Sequence, residues 1–190
     1  MARQRIDTNE VVTTAVTLID DPDADELALA RVAEELGVQS SALYNHVDGL
    51  DGLRHAVAVR AGENLGEMLR DAAVARSGDD AVLAVARAYR TFAHEHPGQH
   101  AAALLPPDDT TGDLDDARSA IPETLARVVL SYGCDEATAA RLARSVHSTI
   151  HGYVALEATD SPGLGDADAR FEDILHFVLV GLHGSLADPT

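Results

Sequence analysis

Apolar residues return every third or fourth position through most of the chain, alternating β-branched runs are missing, and Gly, Pro and Asp collect between the periodic stretches. That pattern predicts helix after helix. Residues 7–20 (DTNEVVTTAVTLID) place Val11, Ala15, Leu18 and Ile19 on one stripe. The run ELALARVAEEL turns Leu29, Val32, Ala33 and Leu36 inward and ends at Gly37, a residue suited to a left-handed cap. A short helix is expected from Gln39 to Asn45, and Asp48 is placed to cap a longer one that reaches about Asp71 through Leu53, Val57 and Leu65.

The second half keeps the same rhythm. After the polar break SGDD, a helix starting at Asp80 carries Val82, Val85, Ala86, Tyr89 and Phe92 and stops at HEHPG, because proline cannot continue it. The small apolar segment HAAALL follows, then the most loop-like stretch of the chain, PPDDTTGDLDDA. The next helix runs from about Leu114 to Tyr132 and ends at Gly133; Pro122 inside it predicts either a kink or a start near Ala120. Asp135 is placed to cap a helix through Leu142, Val146, Ile150, Tyr153 and Val154. A last helix follows the loop ATDSPGLGD, with Phe171, Ile174, Leu175, Val178, Leu179 and Leu182 in steps of three, one, three, one and three. Val180 lies beside that stripe and widens it. Such extra apolar width on a terminal helix points to a homodimer in which Val146, Ile150, Phe171, Ile174, Leu175, Val178, Leu179 and Leu182 form a four-helix interface.

Composition narrows the field. At 190 residues and 46% hydrophobic, the chain fits one globular domain or two small ones with a sizeable core. No apolar run nears the length of a membrane span, and MARQRIDTNEVV turns polar at once, so no membrane partner and a cytoplasmic location are expected. Cys134 is the single cysteine, which excludes an internal disulfide and any zinc site needing a second sulfur; it reads as a small apolar filler. Fourteen basic residues, all Arg, stand against thirty-two acidic ones, a net −18. That balance disfavours nucleic acids, whose binding is driven by Lys and Arg displacing phosphate counterions. A DNA function must therefore be local.

One segment supplies that locality. ELALARVAEELGVQSSALYNHV (residues 26–47) reads as a helix, a Gly turn and a short second helix opening on small polar residues, the helix-turn-helix arrangement. Ala33 is small where the helices cross, Gly37 makes the turn, and Val38 and Leu43 pack beneath. Gln39, Ser40, Ser41, Tyr44 and Asn45 are left on the outer side. Gln and Asn pair with adenine edges, Ser with phosphate or base, and a Tyr hydroxyl with a phosphate oxygen. A helical hairpin with no role in DNA binding fits the same pattern.

The run RVAEELGVQSSALYNHVDGLDGL resembles the N-terminal helix-turn-helix of the tetracycline-repressor (TetR) family, with Ala33, Gly37, Val38, Ala42, Leu43, Tyr44, His46, Val47 and Leu53 on characteristic positions. HPGQHAAALL and IHGYVALE are similar in spacing to the sensor domains of one large branch of that family. The resemblance implies an all-α fold: a three-helix DNA-binding domain at residues 1–48, then a helical ligand-binding and dimerisation domain at 49–190. It implies a homodimer that binds a palindromic double-stranded DNA operator, represses transcription, and is released by a small-molecule effector. Carried over, Gln39, Ser40, Ser41, Ala42, Tyr44, Asn45 and His46 face the groove or the phosphates, Arg3 and Arg5 reach adjacent backbone or the minor groove, and Arg31 adds a phosphate contact. The effector pocket is expected among the middle helices, at Phe92, Leu104, Leu125, Val129, His147 and His151. Two positions depart from the family pattern. Leu50 stands where Lys or Arg usually contacts a phosphate, and Ala28 where Thr or Ser usually begins the second helix. Residues 1–60 carry a net −6, which predicts weak, salt-sensitive binding or, as the alternative, a family member that has lost DNA and acts through protein or small-molecule contacts.

Seven of the nine histidines lie beyond residue 90, and His147 and His151 have the four-residue spacing of metal ligands. Between them stands STI, with no carboxylate, and a third ligand would have to come from elsewhere, such as His96 or His100. Pocket or interface histidines are the simpler reading, and no metal or cofactor is expected. Ser145 and Ser148 beside His147 do not make a hydrolytic triad, since neighbours on one helix do not pair as nucleophile and base; no G-x-S-x-G elbow or phosphate loop occurs. An enzyme is not expected.

Overall fold

The computed structural model describes residues 6–21, 26–104, 112–159 and 166–187. Among the described residues there are nine helices and no strand: α1 (Thr8–Ile19), α2 (Leu29–Glu35), α3 (Ser40–Leu43), α4 (Gly49–Ala73), α5 (Gly78–Glu95), α6 (Pro97–Ala103), α7 (Asp113–Leu130), α8 (Glu136–Glu157) and α9 (Ala167–Ala187). Their ends follow capping chemistry. Asp7 caps α1 by accepting the Glu10 N–H at 2.8 Å while Glu10 returns a carboxylate to the Asp7 N–H, and Asp135 caps α8 through the Thr138 N–H. The segment HAAALL is more ordered than the sequence pattern suggests. Pro97 opens α6 at its first position, where a missing N–H costs nothing, and His100 to Ala103 continue it. Helix α7 starts at Asp113 and runs through Pro122, the longer of the two spans the sequence allowed.

The helices gather into two compact units, one of residues up to Leu65 with His94 to Arg118, the other of Gly66 to Ala93 with residues from Ser119 onward. In the first, Val11, Ala15, Val32, Ala33, Leu43, Leu53 and Val57 are sealed from solvent in one cluster under the N-terminal helices. This unit extends beyond residues 1–48 to take in the first part of α4, α6, which packs on α1, and the start of α7. Gly98 lies so close to the Ile19 carbonyl that any Cβ would overlap it. Asp20 then bonds across the junction: its Oδ1 accepts the Gln99 N–H at 2.9 Å, its Oδ2 accepts the Gln99 side-chain amide, and His96 Nδ1 sits 3.0 Å from Oδ2. Asn64 of α4 donates to Gln99 Oε1 at 2.6 Å, so the buried Gln99 amide is satisfied on both sides.

In the second unit, α5, α7, α8 and α9 each turn an apolar stripe inward, including Val82, Val85, Leu125, Val129, Ile150 and Phe171. Arg90 of α5 ties three helices together. It donates from Nε and Nη2 to Glu157 at 2.7–3.2 Å and from Nη1 to Asp168 at 2.8 Å, and it stacks 4.7 Å above the Phe171 ring. The Arg90 and Glu157 side chains are only 15% and 9% exposed, whereas in the parallel pair Arg87–Glu172 both partners are at least half exposed. Removing one partner of a buried pair strands the other charge, but an exposed pair is screened by water. Urea unfolding should therefore show Glu157→Ala destabilised by about 3 kcal/mol and Glu172→Ala by under about 1 kcal/mol.

Candidate nucleic-acid interface and sensor cluster

The turn between α2 and α3 is closed by backbone hydrogen bonds. Gly37 adopts φ +66°, its N–H bonds to the Glu34 carbonyl at 3.0 Å, and the Val38 N–H reaches back to the Ala33 carbonyl at 2.9 Å. Ala33 at the crossing and Leu43 beneath it are buried, which fixes the direction in which α3 presents its other side. Helix α3 proper is shorter than expected, four residues from Ser40 to Leu43, with Tyr44 to His46 continuing in a turn. Gln39, Ser41, Tyr44 and Asn45 are exposed, Tyr44 by 64%, and Ser40, Ala42 and His46 are half-buried at the edge. Asn45 donates to the Ala42 carbonyl at 3.3 Å, and His46 Nδ1 lies 3.3 Å from Thr8 Oγ1, so α1 steadies one end of the outer face.

That face carries no charged residue, and the arginines around it are already matched. Arg31 pairs with Asp21 at 3.2 Å, Arg54 with Glu26 at 3.0 Å and Asp51 at 3.6 Å, and Arg60 with Glu63 at 3.1 Å. Leu50 is half-buried at the start of α4. Arg3 and Arg5 lie outside the described residues.

In the second unit, His147 and His151 of α8 meet Tyr89 of α5. The Tyr89 ring packs edge-on against both imidazoles, at 5.8 and 6.4 Å, and its hydroxyl lies 3.0 Å from His151 Nδ1. Burial pushes the Tyr89 hydroxyl pKa up, so it stays protonated. His147 Nε2 is enclosed without a hydrogen-bond partner among the described residues, and burial, reinforced by the neighbouring His151 charge, lowers the His147 pKa. Phe92, Leu125 and Val129 are buried within the same unit. Leu104, grouped with them on sequence, instead falls in the first unit with its side chain exposed. In the sequence Tyr89 is one more apolar position of its helix; the signal for its contact with His151 is a hydroxyl on an otherwise apolar stripe.

The family model described as "Tetracyclin repressor-like, C-terminal domain" matches residues 82–178. The HTH-type transcriptional regulator Rv0681 of Mycobacterium tuberculosis is 35% identical over 96% of this chain and 87% of its own length. The chain belongs to the TetR family of transcriptional regulators. Its fold is similar to that of a possible TetR-family regulator from Streptomyces coelicolor A3(2), with a TM-score of 0.69 at 22% identity over 94% of this chain and 99% of that one. BioQ in complex with its double-stranded DNA operator superposes with a TM-score of 0.65 at 22% identity, covering 94% of this chain and 98% of that one.

Within one subunit, the apolar residues expected at the homodimer interface of this TetR-family chain are largely covered. Phe171, Leu175, Val178 and Leu182 of α9, with Val146 and Ile150 of α8, are buried within the subunit, and Ile174 and Leu179 are half-buried. That stripe packs α9 onto α8, and Val146, Val178 and Leu182 also line a surface groove between the two helices. What remains outside is the flank that Val180 marked: Val180 is 58% and Phe177 67% exposed. A groove of about 190 Å³ runs beside Phe177 and Gly181, bordered by Arg141, Ser145 and Thr149 of α8.

The lowered His147 pKa has a stability consequence. Unfolding frees the imidazole to take up a proton that the fold refuses, so the unfolded state binds more protons below the ordinary histidine pKa of about 6.5, and stability falls on acidification. Thermal melts of the native chain and His147→Gln between pH 7.5 and 5 should show the variant losing less stability over that interval; equal losses would show that His147 does not titrate this way.

Proposed function

We propose that this TetR-family regulator is a repressor whose residues 1–48 bind a palindromic operator as one head of a homodimer, and whose residues 49–190 bind a small-molecule effector that releases it. Gln39, Ser40, Ser41, Ala42, Tyr44, Asn45 and His46 meet base edges and phosphates, with Arg3 and Arg5 as a flanking arm. Arg31 reaches a phosphate by exchanging its Asp21 partner for the DNA. The effector contacts the cluster of Tyr89, His147 and His151 in the setting of Phe92, Leu125 and Val129, where His147 Nε2 offers an unused hydrogen-bonding position. The reading is a cytoplasmic regulator, not an enzyme; its relative Rv0681 is a transcriptional regulator, and among the described residues no helix is long and apolar enough to cross a membrane. The outward, uncharged polar face of α3, braced from below by a buried Leu43, is the observation that carries this proposal.

Internal pairing of Arg31, Arg54 and Arg60 favours a second reading, in which DNA binding has been lost and the protein works through protein or small-molecule contacts. One substitution separates them. With DNA from upstream of its own gene in fluorescence anisotropy, Leu50→Lys should tighten binding and steepen the slope of log K against log salt by about 0.9 per head. Absence of binding at low salt by both proteins would favour the second reading.

The second copy sits on the exposed flank of α8 and α9. Phe177→Asp places a charge where two copies would exclude water, yet Phe177 is 67% exposed in one subunit, so the fold should survive. Light scattering should show a monomer with an unchanged melting temperature and at least about tenfold weaker operator binding. A dimeric Phe177→Asp would move the interface elsewhere.

A further inference from the structure

Across the last turns of α4 and α7, a groove of about 310 Å³ is lined by Arg70, Arg76 and Arg127 over a floor that includes the buried Thr124 and Val128. In a chain with thirty-two acidic and fourteen basic residues, three arginines on one groove without a carboxylate among its lining residues is a local inversion of charge. Arg76 is partly accounted for. It pairs with Asp80 at 3.5 Å and donates to the Ala72 carbonyl at 2.7 Å. Arg70 and Arg127 form no ion pair with a carboxylate among the described residues, although Glu67 precedes Arg70 by three positions and Glu123 precedes Arg127 by four, the spacings at which helix charges pair. The Arg70 guanidinium instead lies over Gly66, where a Cβ would come within 3.2 Å of Nη1.

Helix ends explain part of this charge and leave the rest. The C-terminus of a helix carries about half a negative charge, so the ends of α4 and α7 together offset about one of the two unmatched arginines. A surplus near one positive charge remains. The hydroxyls at the groove are committed elsewhere: Thr124 donates to the Ala120 carbonyl at 2.7 Å and Ser131 to the Val128 carbonyl at 2.6 Å. Recognition there falls to the guanidiniums, whose planar forks match a carboxylate, while Val74, 65% exposed, offers an apolar wall beside them.

We propose that this groove is a binding site for a small monocarboxylate with an apolar tail, made of residues other than those of the histidine cluster. The carboxylate bridges Arg70 and Arg127, and the tail lies along Val74 and Val128. The guanidinium forks match a carboxylate, and the exposed Val74 beside them favours an anion with an apolar tail over a bare phosphate.

Calorimetric titration of the full chain with octanoate, 1-octanol and inorganic phosphate tests it. Octanoate should bind with a millimolar or tighter constant, 1-octanol and phosphate several-fold more weakly. Arg70→Gln combined with Arg127→Gln should weaken octanoate by about tenfold or more, and Val74→Asp, which places a competing carboxylate beside the arginines, should do the same. These side chains are exposed, so circular dichroism melts should stay at the native temperature. Failure of the native chain to bind octanoate, octanoate binding unchanged in the double variant, or equal binding of 1-octanol would each overturn the proposal. So would loss of octanoate in His147→Leu with retention in the double variant, which would assign the ligand to the histidine cluster.

Discussion

An acidic protein can approach a polyanion only where its own charge is absent, and that constraint orders the first unit. The outer face of α3 is made of amide, hydroxyl and phenol groups, none of them ionised. Around it, every described arginine between residues 6 and 65 is already matched to a carboxylate. Attraction through counterion release is thereby reduced, and hydrogen bonds from a precisely held surface have to supply more of the affinity. A short helix holds its position only if its inner side is fixed, and the buried Ala33 and Leu43 supply that support for the proposed reading face.

Buried polar groups are treated in two ways in this molecule. At the contact of α1 with α6, the Asp20, Gln99 and Asn64 side chains satisfy one another, and in the second unit Arg90 and Glu157 do the same. Such networks fix one arrangement of helices, because any slippage leaves a buried group unpaired. His147 is the opposite case. Its Nε2 is enclosed and unmatched, a cost that a ligand with a complementary group would remove. The described residues thus combine satisfied polar networks with an unmatched imidazole nitrogen at His147.

Much of this was legible in the chain itself. Gly37 adopts the left-handed conformation that ends α2 and redirects α3, and Asp135 caps α8, because cap and turn residues act locally and announce themselves. Pro97 marked the end of one helix and also the start of another, a dual role that a reading of proline as terminator alone misses. Packing between distant segments was less visible. The periodicity of α9 showed that Phe171, Leu175, Val178 and Leu182 share a face, but the identity of what packs there is not encoded in spacing; α8 of the same subunit packs against it, and Val178 and Leu182 also line the groove beside Phe177. For the same reason the bond between Tyr89 and His151, residues sixty-two positions apart, left no trace in the local pattern beyond a polar atom on an apolar stripe.

The central claim is that an uncharged helix face, doubled by twofold symmetry, selects a DNA sequence despite a net charge of −18. Purified protein incubated with fragments of its source genome, with the bound fraction sequenced, tests it most directly. The account predicts one enriched palindrome whose half-sites lie about one helical turn of DNA apart or a multiple of it. Recovery of fragments without any shared sequence, or of none in low salt, would contradict it.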